Sequence, residues 1–345
     1  MGKLSIYIGC LMLILTVSCK VDSKFDPIIN EDDITVKWPD YFPAPVYDFS
    51  GNPITKEGFL LGKKLFYDPI LSVDNTISCG SCHQQFVAFA HADHKLSHGI
   101  DNKLGVRNSQ ALFNVIWNTT FFWDGGSKHI EVQPIGPITN PVEMDETVQN
   151  VVYKLSQRAD YKSLFKAAFN TDSITSQLML KAIAQFMGAF VSASSKYDKN
   201  RIDPIANPFT EDEKLGQTIF ESKCASCHVP PLFTDNSFRN NGLDEIFSDS
   251  GRYLITNINS DMGKFKVPSL RNIELTYPYM HDGRFETLPQ VLNHYSSEIK
   301  QSSTLDQSLT NGIALNNTEK QQLIAFLKTL TDREFINDPR FKEAN

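Results

Sequence analysis

Ser78-Cys79-Gly80-Ser81-Cys82-His83 and, further along, Lys223-Cys224-Ala225-Ser226-Cys227-His228 decide how this chain is read. Two cysteines three positions apart, followed at once by histidine, form the attachment pattern of a c-type haem. The spacing has a chemical reason. The two thiols add to the two vinyl groups of one porphyrin, and the next imidazole lies under the iron as its fifth ligand. The second ring nitrogen stays free for a hydrogen bond that tunes the metal. A single copy could equally be a zinc pair or chance; two copies, with no other cysteine beyond residue 19, identify a two-haem protein. Cys79, Cys82 and His83 hold one haem c, and Cys224, Cys227 and His228 the other. With all four cysteines used in this way, no disulfide is expected.

The 345 residues are enough for two domains of ordinary size, and 41% hydrophobic content with 24 Phe supports substantial cores. A net charge of −7 without any Lys/Arg run argues against nucleic acid as a partner. Residues 1–19 read as a targeting segment: Lys3 supplies charge, Leu4 to Val17 is a short apolar core, and Ser18-Cys19 follows. A small residue then cysteine resembles a bacterial lipoprotein cleavage box, although Thr16 stands where Leu is usual. Cys10 would leave with the leader. The expectation is an exported, periplasmic protein tethered to a bacterial membrane by lipid on Cys19. A plain secretory signal is the alternative.

The chain repeats itself. Leu61-Gly62-Lys63-Lys64-Leu65-Phe66 before the first haem motif matches Leu215-Gly216-Gln217-Thr218-Ile219-Phe220 before the second. Arg107-Asn108 and Arg271-Asn272 follow, then Phe122-Trp123-Asp124-Gly125-Gly126 and Met280-His281-Asp282-Gly283-Arg284. The fold expected is mainly α, with two cytochrome-c-like helical domains related by internal duplication, each holding one c-type haem. The divisions are an extended Pro-rich arm over 20–50, a first haem domain over 51–197, a linker over 198–209 and a second haem domain over 210–345. Thr55 and the box Thr210/Glu213 open helices, and 146–169 and 175–195 show helical periodicity. Thr318 to Leu330 is a last amphipathic helix, with a box at Thr318/Gln321. Few short strands are expected.

Chemistry beyond electron carriage needs one iron with an available sixth position and polar groups above it. His91, His94 and His98 follow the first motif, and each could be a ligand, a surface residue or a satisfied buried imidazole. Trp123 sits among Phe121, Phe122 and Asp124-Gly125. Gln133 and Glu143 lie on Pro-rich loop sequence, where function is often carried.

Several of these segments together resemble the bacterial dihaem cytochrome c peroxidases. They are both haem motifs, Ser97-His98-Gly99, Arg107-Asn108-Ser109, Phe122-Trp123-Asp124-Gly125, Gln133, Gly136-Pro137, Val142-Glu143-Met144 and Val267 to Thr276. Pro278 to Phe285 and Ile324 to Leu330 fit as well, so the resemblance spans about residues 50–332. It implies hydrogen peroxide reduction in the periplasm, with electrons from a small cytochrome c or a cupredoxin, in a commonly dimeric protein. The haem at His83 would meet peroxide and that at His228 would receive electrons. His98 resembles the distal ligand released on activation, Gln133 and Glu143 the pair that orients peroxide, and Trp123 the aromatic bridge. Calcium between the domains would lie on Asn108 and the backbone carbonyls of Lys266 and Pro268. One departure stands out. Where the peroxidases place a Met on the second iron, this chain has Tyr295 beside His294, with Met280 nearby in another motif. A tyrosine there resembles the methylamine-utilisation dihaem enzymes, whose peroxide haem lacks a distal histidine. Oxidation of a protein or organic substrate is therefore the first alternative, and simple electron transfer the second.

Overall fold

Thr55 opens the first helix as its sequence suggests, its hydroxyl accepting the Gly58 N–H at 3.0 Å. The computed structural model describes residues 34–343, so the expected leader and lipid site lie outside the described residues. Among the described residues no helix is long and apolar enough to cross a membrane. The first half of the chain forms α1 (Lys56–Tyr67), the single turn α2 (Cys79–Cys82), α3 (Ile135–Thr139), α4 (Val148–Ser156), α5 (Ala159–Phe169) and α6 (Ser176–Gly188). The second forms α7 (Lys196–Ile202), α8 (Glu211–Lys223), α9 (Tyr253–Thr256), α10 (Leu288–Asn293), α11 (Asn317–Lys328) and α12 (Arg333–Asn337). Among the described residues sheet is confined to one antiparallel pair, β1 (Phe238–Arg239) and β2 (Phe265–Lys266), with Phe238 opposite Lys266. The mainly helical expectation holds.

The duplication runs deeper than the quoted segments. α1 crosses α6 at Gly62, where any Cβ would collide with the Ala182 carbonyl and press on Phe186. α8 crosses α11 at Gly216, where a Cβ would meet the Gln322 carbonyl and Phe326. In both halves a glycine lets two helix backbones touch, and a Phe four residues past the touched carbonyl fills the core beside it. The later turns match too. Phe121 donates its N–H to Ser127 at 2.8 Å and Tyr279 to Phe285 at 2.7 Å, each closing a loop that enters a positive φ at Phe122 (66°) or Met280 (76°).

Two apolar clusters result, one around Phe66, Phe89, Phe186 and Phe190 and one around Phe220, Phe233, Leu323 and Phe326. The last turns of the chain return to the first cluster: Phe341 packs 5.1 Å from Phe190 and Phe335 packs 5.8 Å from Phe89. The Tyr67 hydroxyl ties that return by donating to the Phe341 carbonyl at 2.7 Å. The described part of the arm, from residue 34, lies over the body, with Trp117 Nε1 donating to the Pro43 carbonyl at 2.8 Å.

Three local expectations are corrected. The helix expected over Thr318 to Leu330, α11, is capped two residues earlier, by Asn316 with Glu319, each accepting the other's backbone N–H at 2.9 and 2.8 Å, and α12 follows it. Asn is as good an N-cap as Thr, and the carboxylate at the third position completes the box. The 146–169 run is two helices: Ser156 turns its hydroxyl onto the Tyr153 carbonyl at 2.7 Å, and Arg158 starts the second beside Asp160. The 175–195 run stops as helix at Gly188, and Phe190 reaches the core from the turn beyond it.

The expected linker begins as helix α7, capped by Ser195, and its Asp198 is fully buried against fully buried Arg271 through two bonds of 2.8 Å. Tyr41 of the arm also donates to Asp198, at 2.7 Å, and the Arg271 guanidinium lies 4.8 Å from the Phe42 ring. Burial alone would raise the Asp198 carboxyl; the Arg271 guanidinium holds it below the usual range. Removing one partner leaves a charge buried alone. Arg271→Met should therefore cost about 3–5 kcal/mol of unfolding free energy, and adding Asp198→Asn should recover much of it; denaturant titration of the single and double variants measures both.

Candidate functional site

The two motifs build their sites in the same way. α2 is one turn, so Cys79, Cys82 and His83 project from a single short arc, with Ser78 and Ser81 closing a capping box. His83 then directs Nδ1 at the Phe89 carbonyl, 2.9 Å away. His228 directs Nδ1 at the carbonyls of Phe233 and Pro268, at 3.2 and 3.1 Å. A carbonyl only accepts, so Nδ1 carries the proton and Nε2 keeps its lone pair. The accepting residue stands at positive φ in both halves, 60° at Phe89 and 57° at Phe233, which turns the chain back toward the imidazole. Burial holds both histidines below the ordinary imidazole range, so they stay neutral, the form that binds metal.

Cys79, Cys82, Cys224 and Cys227 stand as free thiols. Burial pushes Cys79 and Cys224 up to about 12 and Cys82 to about 11. Both motifs open into one continuous cavity of about 880 Å³, lined by their cysteines and histidines. That is near the upper end for ligand pockets, about 1,000 Å³. Paired thiols, an oriented lone pair and apolar walls fit haem c at each motif.

Around the first motif the cavity is lined by His98, Gln133, Glu143 and Trp123. Of the three candidate histidines, only His98 is among these lining residues. His94 lies edge-on to His98 at 4.7 Å and stacks on His91 at 4.2 Å. His91 Nδ1 is buried without a partner, and burial, with His94 beside it, pulls His91 down to about 4. Glu143 is held where Ile100 donates its N–H to the Glu143 carbonyl at 2.9 Å, and Asn140 Nδ2 donates to its carboxylate at 3.1 Å. Burial raises the Glu143 carboxyl above the ordinary range, the setting of a group that can both take and give a proton.

Around the second motif Tyr295 and Met280 line the cavity and His294 does not. α10 ends in a π-helical turn over His294–Glu298, a distortion common at functional sites. In it His294 is buried, with Nε2 3.0 Å from the Asn241 carbonyl and its ring tilted against Phe285, while Tyr295 reaches the cavity. Asn241 Nδ2 lies 3.5 Å from both the Tyr295 hydroxyl and Met280 Sδ. Burial raises the Tyr295 phenol, so it keeps its proton in the protein as it stands. Asn241 escaped the sequence reading because nothing in Asn240-Asn241-Gly242 distinguishes it from turn sequence.

Trp123 is bracketed between the halves. Its indole N–H donates to the Asn108 carbonyl at 2.9 Å, its own carbonyl accepts the Lys266 N–H at 2.7 Å, and Asn108 donates its N–H to the His281 carbonyl at 2.7 Å. The residues expected to hold calcium, Asn108, Lys266 and Pro268, line the same cavity. They fit a dication poorly. Asn108 Nδ2 donates to the carbonyls of His94 and Lys95 at 3.2 Å, and the Pro268 carbonyl is already taken by His228. Lys266 adds a buried ammonium beside them. Calcium affinity rises with ligand charge, and these groups carry no negative charge.

Residues 56–203 match the di-haem cytochrome c peroxidase family and residues 213–331 the cytochrome c family. The chain is 32% identical over 304 residues to methylamine utilization protein MauG of Methylophilus methylotrophus, covering 85% of this chain and 87% of that protein. It is 35% identical over 288 residues to cytochrome c551 peroxidase of Nitrosomonas europaea, covering 82% and 81%. Among solved structures, a MauG-like protein associated with microbial copper homeostasis superposes with a TM-score of 0.82 at 32% identity, covering 90% of this chain and 99% of that one. The diheme peroxidase BthA of Burkholderia thailandensis E264 shares the fold, with a TM-score of 0.70 at 20% identity and coverage of 85% and 91%.

The placement of Tyr295 and His294 has a spectroscopic consequence. Tyr295→Phe should change the electron paramagnetic resonance signal of the second haem, whereas His294→Gln should leave it in place; the reverse pattern would make His294 the axial group.

Proposed function

The chain belongs to the di-haem cytochrome c peroxidase family, which it shares with MauG proteins, and from that premise we propose that it reduces hydrogen peroxide to water at the site of the first motif. It is an oxidoreductase, and its two cytochrome-c-type segments imply two haem c groups. In this reading a small cytochrome c or cupredoxin delivers electrons at the second motif, and the work is done in the periplasm, with lipid on Cys19 as the tether. The observation that supports the reading is the shared cavity wall: Glu143, Gln133 and His98 line the same cavity as Cys79, Cys82 and His83.

Haem held there would pass on the donor's electrons, two electrons and two protons converting one peroxide into two waters. The protein's part is proton handling and orientation. Glu143 takes the proton from the near oxygen and returns it to the far one, a task its raised carboxyl suits. Gln133 orients peroxide through its amide. His83, its Nδ1–H held by the Phe89 carbonyl, presents a more basic Nε2 to the metal. His98 would act as the gate, controlling access to the haem held at the first motif. Trp123 relays electrons between the sites. Tyr295 would help hold the second haem and keep that site closed to peroxide. Calcium is given no step.

A second reading is favoured by Tyr295 itself. A phenolate on the second iron lowers its potential, which would suit drawing electrons from a protein or organic substrate instead of from a small redox protein. The two readings separate on mixing. The peroxidase reading expects the half-reduced protein to consume peroxide with reduced cytochrome as donor. The second expects peroxide added to the fully oxidised protein to leave a long-lived state two electrons more oxidised, without fast turnover.

Glu143→Gln should lower kcat by about 10²–10⁴ with both haems retained. Because the base form is needed, wild-type turnover should fall as pH drops through the Glu143 carboxyl. Burial raises that value, so the acid limb should lie above the ordinary carboxylate range and be absent from the variant. Steady-state kinetics across pH, with haem content measured in parallel, checks both.

A further inference from the structure

Lys266 is a buried charge that the peroxide reading leaves idle. It is 6% exposed and lines the cavity shared by both motifs. Its Nζ donates to the Thr120 carbonyl at 3.0 Å, and it forms no ion pair among the described residues. The backbone N–H of the same residue donates to the Trp123 carbonyl at 2.7 Å. Thr120 and Trp123 sit on one loop, so a single residue of β2 grips that loop twice, once by main chain and once by side chain. The Thr120 hydroxyl beside this contact is itself buried without a partner, as is Asn236 Oδ1 on the cavity wall.

An ammonium buried without a carboxylate is expensive, and a Met of similar length would fill the same space at far lower cost. A positive charge in the wall of a low-dielectric cavity favours reduced over oxidised iron, because reduction removes one positive charge from the metal. The groups expected to hold calcium fit that ion poorly, and Lys266 is one of them.

We propose that Lys266 is a positioning residue that clamps the Trp123 loop between the halves and whose ammonium supplies the fixed positive charge of that junction in place of a divalent cation. The consequence is a raised reduction potential at the groups held by His83 and His228. The proposal rests on the two-haem reading and on the relay role given to Trp123, but its equilibrium part needs neither peroxide nor turnover.

The test is redox titration of the purified two-haem protein, followed by haem absorbance, for wild type, Lys266→Met, Lys266→Gln and Lys266→Arg. Each is titrated with and without EGTA, and metal content is measured by elemental analysis. At a fixed applied potential the reduced-to-oxidised ratio should fall roughly tenfold in the two neutral variants, the effect of one unit charge at about a dozen ångströms in an effective dielectric near 20. Lys266→Arg should stay close to wild type, EGTA should change nothing, and calcium should be absent. Unchanged ratios in both neutral variants would overturn the electrostatic role. Stoichiometric calcium whose removal shifts the wild-type ratio would overturn the replacement of the dication. Wild-type protein that titrates as expected yet fails to turn over peroxide would sink the peroxide reading and leave Lys266 standing. Mixing with a one-electron donor adds the clamp: electron passage from the second haem to the first should slow in Lys266→Met and recover in Lys266→Arg.

Discussion

A hydrogen bond from an imidazole to a main-chain carbonyl underlies everything this molecule can do. In each half the ring that follows the two cysteines hands its Nδ1 proton to a Phe carbonyl at positive φ, His83 to Phe89 and His228 to Phe233. The bond chooses the tautomer, stops ring rotation and leaves one lone pair aimed where the motif puts a metal. It also explains why those phenylalanines are so well packed. Phe89 stacks on Phe190 at 3.9 Å and Phe233 meets Phe220 at 5.5 Å, so the accepting carbonyl is held by a core and not by a mobile loop.

The two sites differ in what surrounds that common frame. The first has a carboxyl, an amide and an imidazole on its cavity wall, all delivered by loops between α2 and α4. The second has a phenol and a thioether, delivered by a tight turn and a π-helical distortion. Proton-handling groups gather at one end of the shared cavity and groups suited to closing a metal gather at the other. Between them Trp123 is pinned by hydrogen bonds to both halves. The buried Asp198–Arg271 pair, gripped by the arm through Tyr41, ties α7 to the segment after β2 in the same spirit.

Much of this was legible in the chain itself. The Cys-x-x-Cys-His motifs are local chemistry, so the positions of the thiols and imidazoles could be read directly. The duplication was visible wherever a constraint falls on particular residue types: Gly62 and Gly216 because two backbones touch there, Gly125 and Gly283 because their φ is positive. It was invisible in α6 and α11, whose matched Phe186 and Phe326 are ordinary apolar residues until the helices are seen crossing. Helix starts were found where a side chain caps its own backbone, as at Thr55 and Thr210. The cap at Asn316 was missed because two adjacent patterns satisfied the same rule.

Sequence by itself pointed to two haem c segments of helical protein and to the cysteines and histidines suited to hold each haem, because those requirements are met within a few consecutive residues. Only the tertiary structure showed that His98, and neither His91 nor His94, lines the cavity, and that Tyr295 lines it while His294 does not. It alone returned Phe335 and Phe341 to the first core and set an ammonium at a junction where the family pattern suggested calcium. Those outcomes depend on which way a side chain faces once distant segments pack. A one-residue rotation at a π-helical turn, or a loop gripped from another strand, leaves no mark in the local pattern.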